Sequence, residues 1–480
     1  MATRTASKRP ARPAAKTPPR AAKAAPPPQR PPNYAERYAA GKALRDRVPR
    51  ESHAEWKPPA SRHDPVALVV ASSKGRIESL VPIRYGRMSA SPFTFYRGTA
   101  LNMAADLAHT PSTGIRVQAC GDCHLMNFGG FATPERRVIF DINDFDETLP
   151  GPWEWDVKRL AASFVHAARS NGFSAADERE AAMASARSYR EHMREYAEMH
   201  ALDVWYSRVD MEAVVDSLSD AVTAARFRKR LAKAAAHNAP DSDFPKLAEN
   251  TGSHFVIKDA PPLIYHDQQV NLTAERKNIL DTFVRYRNTL QDDRRVLLDR
   301  FLPVDFALKV VGVGSVGTFC AILLLMADDR DPLFLQVKES RASVLEPYVG
   351  RSIYANHGQR VVTGQRLMQS ASDIFLGWTE GQRGRQFYLR QLRDMKMKPL
   401  VEVFNRATML DYAKLCGWTL ARAHARSGDA AMIAGYLGNK DVFDRAIARF
   451  SQAYADQAER DYNAFMDAIR KGRIEARTEA

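Results

Sequence analysis

Asp122 and Asn127 stand five residues apart in the string Gly121-Asp122-Cys123-His124-Leu125-Met126-Asn127. Phosphoryl-transfer enzymes use this spacing to put a proton acceptor and a Mg²⁺ ligand on one loop. The Asp would accept the proton of an attacking hydroxyl, and the Asn would bind the metal. His124 counts with Asp122 among the candidate catalytic residues. Fourteen residues beyond Asn127, the apolar run Val138-Ile139-Phe140 ends at Asp141, which opens the cluster Asp141-Ile142-Asn143-Asp144-Phe145-Asp146-Glu147. Mg²⁺ is a hard ion, usually held by one or two carboxylates together with substrate phosphates. An acid just past a strand meets that need, so Asp141 is the expected second metal ligand and Asp144, before a Phe, is the alternative. The spacing alone is a weak signal. The competing reading of the cluster is an acidic turn that caps a helix or holds calcium.

A second set of residues begins 190 positions after Asp122, at Gly312-Val313-Gly314-Ser315-Val316-Gly317. In a dinucleotide fold these glycines would open a helix, and an acid would follow about 20 residues later. Here the loop leads into the β-type run Phe319–Met326, a turn at Asp328–Pro332, and another run ending Leu335-Gln336-Val337-Lys338. Strand, glycine loop, strand, then Lys on a strand is the order by which kinases cover and pair ATP phosphates. Lys338 is therefore expected at the α- and β-phosphates. Backbone N–H groups of Gly312, Gly314, Ser315 and Gly317 are expected at the β/γ end. A plain hairpin turn and a solvated lysine are the bland alternatives. Glu346 is the favoured ion-pair partner of Lys338, because Glu339 would face the other side of the strand and the helix containing Gln365 has no acid at the expected place.

The elements that must position these residues alternate in character. A short helix and a Pro-punctuated lead-in cover residues 34–60, and a mixed region follows, aromatic-rich and turn-rich over 87–98. Strand-like runs at Val117–Cys120 and Arg137–Phe140 flank the polar loop. From Trp153 to about Lys233 the pattern is helical, with one helix capped by Ser174 and Asp177. A Pro/Asn/Asp-rich loop over 237–253, strand signals at Phe255–Ile257 and Leu263–Tyr265, and a charged helix from Thr273 to about Phe301 come next. β-type runs at Phe306–Val311, Phe319–Met326 and Leu333–Val337 precede a helix near Asn356–Ser370 and a strand at Gln386–Leu392. The chain is helical again from about Asn405.

The resulting fold class is α+β, divided as 1–60, 61–303, 304–404 and 405–480. The catalytic-loop candidate precedes the glycine loop, the reverse of the usual kinase order, so either one of the two sets is accidental or the fold is circularly permuted; a two-lobed protein-kinase-like fold with circular permutation is expected. Permutation is tolerated where the original termini lie close and the new ones fall at exposed loops. The stripe Met409, Ala413, Cys416, Leu420 and Ala423 ends in Leu420-Ala421-Arg422-Ala423-His424-Ala425. It looks like the helix that immediately precedes the catalytic loop in antibiotic and choline kinases. An ordinary core helix is the plain alternative.

Composition narrows the partners. With 480 residues the chain is too long for one core. Its net charge of +14 is concentrated in residues 1–33, which hold eight Lys/Arg and no acid, leaving only about +6 elsewhere. That mild excess is not a nucleic-acid-binding footprint. The Pro/Ala-rich basic tail is expected to be disordered, with at most non-specific polyanion contacts. No apolar run approaches the length of a bilayer crossing, and no secretion signal opens the chain, so a cytoplasmic protein without membrane contact is expected. Cys120 and Cys123 form a C-x-x-C, but a structural zinc site would need a second ligand pair, which is missing.

The strings Phe95-Tyr96-Arg97-Gly98, Gly121–Gly129, Asp144–Glu147, Gln336–Glu339 and Gly364–Gln369 together resemble a bacterial family numbered domain of unknown function 2252, over roughly residues 60–470. Its catalytic loop in turn resembles that of aminoglycoside and choline phosphotransferases. The usual H-G-D-x-H-x-x-N stands here as Cys120-Gly121-Asp122-Cys123-His124-Leu125-Met126-Asn127. The resemblance implies Asp122 as catalytic base, Asn127 and Asp141 as metal ligands, and Asp156 as the acid that anchors the loop. Cys120 departs from the supporting histidine, and no Arg precedes Asp122, unlike the protein-kinase type. The expected activity is Mg·ATP-dependent phosphoryl transfer to a small hydroxylated or amino-bearing molecule. The alternatives are AMPylation-type nucleotidyl transfer and a catalytically inactive ATP-binding regulatory module. Nothing in the sequence specifies the acceptor.

Overall fold

The run Cys320–Met326 is apolar at every position but Cys320, a pattern a strand adopts when both its faces are covered. In the computed structural model all seven residues are buried within a six-stranded sheet. The described residues are 31–216, 218, 220–236, 243–252, 254–266, 272–310, 312, 314–392 and 397–477. Of the expected features, the basic tail over 1–30 and Val311 and Val313 of the glycine loop lie outside them. So do 237–242 and 253 of the Pro/Asn/Asp-rich loop.

Twelve strands occur among the described residues. The first four are β1 (Arg116–Ala119), β2 (Phe128–Ala132), β3 (Val138–Ile142) and β4 (Leu149–Pro152). β1 pairs with β4 and β2 with β3, both antiparallel. A small hairpin joins β5 (Ala248–Asn250) to β6 (Phe255–Ile257). The large sheet holds β7 (Ile264–Tyr265), β8 (Leu302–Lys309), β9 (Cys320–Met326), β10 (Pro332–Ser340), β11 (Gly377–Glu380) and β12 (Gln386–Gln391). Its order is β11-β12-β10-β9-β8-β7, with every pair antiparallel.

Alternation along β9 and β10 sorts two cores. Leu323, Leu325, Leu335 and Val337 pack on one face with Tyr286, Leu290 and Leu298. Ile322, Leu324, Met326 and Phe334 pack on the other with Leu247 and Ile257. Lys338 continues this second face, four residues past Phe334, where the apolar lining gives way to Gln336 and Lys338.

The remainder is a helical body. The Trp153–Ser170 helix is buried on all sides, and Ala161, Ala162, Ala167 and Ala168 are fully enclosed, so neighbouring helices approach closely. The Arg406–Ser427 helix lies along Ala175–Glu198, held by Ser188 Oγ donating to the Lys414 carbonyl (2.6 Å) and Trp418 Nε1 to Tyr196 Oη (2.8 Å). A Cβ on Gly417 would stand 2.2 Å from the Ser185 carbonyl oxygen, so that crossing requires glycine. Tyr34–Ala480 form one compact unit.

Some expectations change. The charged helix over Thr273–Phe301 is two helices, Leu272–Arg287 and Asp292–Leu298, broken around Thr289 and Leu290. The turn-rich stretch before Gly98 contains the short helix Pro92–Gly98, opened by a Ser91/Thr94 capping box. β2, β4 and β11 were not anticipated, since glycine or proline interrupts the strand signal in each, nor were the helix Phe244–Leu247 and β5 inside the loop expected over 237–253. Among the described residues no helix is long and apolar enough to cross a membrane.

Candidate functional site

Asp156, in the first turn of the Trp153–Ser170 helix, accepts hydrogen bonds from the backbone N–H of Cys120 (2.6 Å) and of Gly121 (3.0 Å). Its Oδ2 also lies 3.1 Å from His424 Nε2. Gly121 turns the chain at φ +85°, and a Cβ there would meet the Glu147 carbonyl oxygen at 2.5 Å. The following loop is closed by Asn127 Nδ2, which donates to the Asp122 carbonyl at 2.9 Å. Arg159, one helical turn beyond Asp156 and on the same face, donates through Nε to Asp122 Oδ1 at 2.6 Å. His124 Nε2 is 3.9 Å from Asp122 Oδ2. Burial pushes the His124 imidazole down to about 3, so it is neutral at physiological pH.

On the sheet, Lys338 is 4 % exposed, and its Nζ donates to Asp146 Oδ2 at 2.7 Å. Tyr388, opposite Lys338 in the β10–β12 register, donates its hydroxyl to Asp146 Oδ1 at 2.8 Å. Ser315 of the glycine loop donates to Asp146 Oδ2 at 3.2 Å. Burial alone would lower the Lys338 amine, but Asp146 holds it well above its ordinary value. Burial likewise would raise Asp146, and Lys338 draws it below the usual range. Asp144 is different: burial, then Asp146, raise its carboxyl.

Both groups line one cavity of about 950 Å³, the size range of small-molecule sites. Asp122, His124, Asn127 and Asp144 contribute one wall, while Gly312, Gly314, Ser315, Gln336, Lys338 and Arg390 contribute the other. Eight lysines and arginines against two aspartates make the lining strongly cationic. An adjoining chamber of about 270 Å³ shares Arg97, Asp122, Asp144, Gly314 and Ser315 with it. Gly317 has a local reason to be glycine, with φ +85° and Arg76 against its Cβ position. Gly312 and Gly314 have neither: a Cβ on each would meet nothing within 4 Å.

Two expected site residues stand elsewhere. Asp141 lies inside β3, wholly buried, and its oxygens accept from Arg422 Nη2 (2.5 Å) and from the N–H (2.9 Å) and hydroxyl (3.1 Å) of Ser370. It does not line the cavity, because the strand runs one residue past it and turns its side chain inward. Glu346 does not pair with Lys338. Its nearest ionic neighbour is His357, at 3.8 Å, and Asp146 takes the place expected for it. Cys120 and Cys123 are free buried thiols, and burial pushes Cys123 well above its ordinary value. Among the described residues no group of three or more His, Cys, Asp or Glu is placed to hold a metal.

Sequence reasoning missed Asp146, Arg159, Tyr388 and Arg390. Arg159 was findable, since it lies three residues after Asp156 on a helix that had to face the loop.

These features define an α+β protein with a cationic cleft between an antiparallel sheet and a helical body. Residues 76–468 match the family described as an uncharacterized protein conserved in bacteria (DUF2252), and the chain belongs to it. Neither a curated protein nor a solved structure matches the chain.

Proposed function

We propose that the protein is a Mg·ATP-dependent phosphotransferase with a kinase-like, circularly permuted fold, acting on a small hydroxylated or amino-bearing acceptor. One observation carries this reading: Asp122, Asn127 and Asp144 line the same cavity as Gly312, Gly314, Ser315 and Lys338. The sheet supports it as well. The glycine loop joins the first two of five antiparallel strands (β8 to β12), Lys338 sits on the third, and the His357–Met368 helix follows, as the αC helix follows the Lys strand of kinases. The helix ending at Ser427 supports the permutation, since Ser427 Oγ accepts from the Gln118 N–H in β1 at 3.2 Å, just ahead of the Asp122 loop.

The donor set suits Mg²⁺. Asn127 spends its amide nitrogen on the loop and keeps its oxygen, while burial and Asp146 hold the Asp144 carboxyl above its ordinary value in spite of Lys338 and Arg390. Asn127 and Asp144 would be its protein ligands, and the ion supplies charge neutralisation at the phosphates. Lys338, fixed by Asp146, would hold the α/β-phosphates. In the transfer, the acceptor oxygen or nitrogen bonds to the γ-phosphorus as that phosphorus loses its bond to the β–γ bridging oxygen. ADP leaves with that electron pair, and the acceptor proton passes to Asp122. Positioning and charge stabilisation supply most of the rate.

Incubation with γ-labelled ATP, Mg²⁺ and panels of alcohols and amines tests this. The expected result is a labelled product whose formation falls roughly 10²–10⁴-fold in Asp122→Ala with nucleotide affinity retained. A product heavier by a nucleoside monophosphate would assign nucleotidyl transfer instead. Thermal stabilisation by Mg·ATP with no product would assign an inactive binding module.

A further inference from the structure

The two chambers of the cleft meet where the same five residues line both: Arg97, Asp122, Asp144, Gly314 and Ser315. Four of them already have roles at the terminal phosphate. Asp122 is the candidate base, Asp144 the candidate metal ligand, and Gly314 and Ser315 form the tip of the glycine loop. Arg97 is the one cation common to both chambers.

The state of Arg97 is unusual. It ends the short Pro92–Gly98 helix, and its guanidinium stands 5.9 Å from the Phe93 ring centre. Among the described residues it makes no hydrogen bond or ion pair, and its Nε is buried without a partner. The other arginines of this wall are committed: Arg159 to Asp122, Arg76 to the Val316 carbonyl, Arg84 to Ser73 and the Gly98 carbonyl. Burial lowers the basicity of Arg97, offset in part by Asp122 and Glu402. A buried Nε–H with no acceptor is costly. The ring of Phe93 lies near the guanidinium but offers no acceptor for its N–H groups.

We propose that Arg97 is a catalytic residue that contacts the transferred γ-phosphoryl group, neutralising the charge that spreads over its oxygens in the transition state. This rests on the phosphotransferase reading. Arg97 would do here what an in-line arginine does in other phosphoryl transfers, presenting a planar fork to two phosphate oxygens. Because Arg159 already holds Asp122 Oδ1 at 2.6 Å, the Arg97 fork is left for phosphate oxygens.

The test uses calorimetric titration of Mg·ATP and Mg·ADP into the full chain, with γ-labelled turnover measured in parallel. Wild-type protein is expected to prefer ATP over ADP. Arg97→Ala should shrink that preference by about ten- to a hundredfold, with ADP affinity and melting temperature unchanged, and lower turnover by roughly 10²–10³-fold. Arg97→Lys, which keeps the charge but not the fork, should fall between the two and guards against a folding artefact. An unchanged ATP/ADP ratio in both variants would overturn the inference while leaving the phosphotransferase reading standing. So would a defect confined to acceptor KM, which would make Arg97 an acceptor-binding group. Failure of the wild-type protein to bind either nucleotide would remove the reading itself and this inference with it.

Discussion

Lys338 and Asp146 illustrate how far a pair of charges can be separated along the chain and still define a site. They are 192 residues apart, meet at 2.7 Å, and are enclosed by Tyr388 and Ser315. Removing one member of such a pair strands the other. Lys338→Met should therefore destabilise the fold by roughly 3 kcal/mol. Adding Asp146→Asn should recover most of that loss without recovering nucleotide binding, and thermal melts with nucleotide titrations on the three proteins would show it. Glu147 offers a pH test. Burial pushes its carboxyl up to about 7, against an ordinary 4.5, although the Val344 N–H bonds it. Its native value exceeds the unfolded one, so the native state holds the proton more tightly. That contribution to stability is complete below about pH 4.5 and lost as pH rises through about 7. Glutamine does not titrate, so Glu147→Gln should gain on the wild type by about 3 kcal/mol between pH 4.5 and 8, read as a widening difference in melting temperature. Asp141 was legible as an acid beside a strand, but its role was not. Whether a strand ends before an acid or runs through it depends on what packs behind, and here Arg422 and Ser370 do.

Among the elements, the glycine loop separates a structural from a functional use of glycine. Gly358 opens the His357–Met368 helix with a Cβ position 2.2 Å from the Phe387 carbonyl oxygen, whereas Gly314 faces open space. Gly358→Ala should lower the melting temperature and leave no interpretable binding defect apart from lost fold. Gly314→Ala should leave stability within about 0.5 kcal/mol and weaken Mg·ATP binding, because the added methyl enters the room the phosphates need. Both loops were readable in the sequence, since each is a short string whose residue types are fixed by its chemistry. The helices of the body were readable from their 3.6-residue periodicity. β2 was not: Gly129 and Gly130 have no side chains to show alternation, and its strand character comes from pairing with β3 and from the Met397 backbone. The Arg159–Asp122 contact belongs to the same scale. It follows from the angle at which the Trp153–Ser170 helix meets the loop, which periodicity cannot specify.

For the molecule as a whole, phosphoryl transfer requires the segments around residues 122–127 and 312–315 to close on the same ligand. Asp156, Arg159 and Asn127 make the first segment rigid. The second is anchored by the Gly317 carbonyl accepting from Ile77 and the Val316 carbonyl from Arg76 at one end, by the Val310 N–H donating to the Leu263 carbonyl at the other, and by Ser315 Oγ donating to Asp146 between them. Amide hydrogen exchange on the full chain, with and without Mg·ATP, reads both segments in one experiment. The account predicts that nucleotide slows exchange in peptides covering Gly121–Phe128 and Val310–Phe319 together, and that Lys338→Met abolishes both effects. Protection of one segment without the other, or of neither at saturating nucleotide, would contradict it.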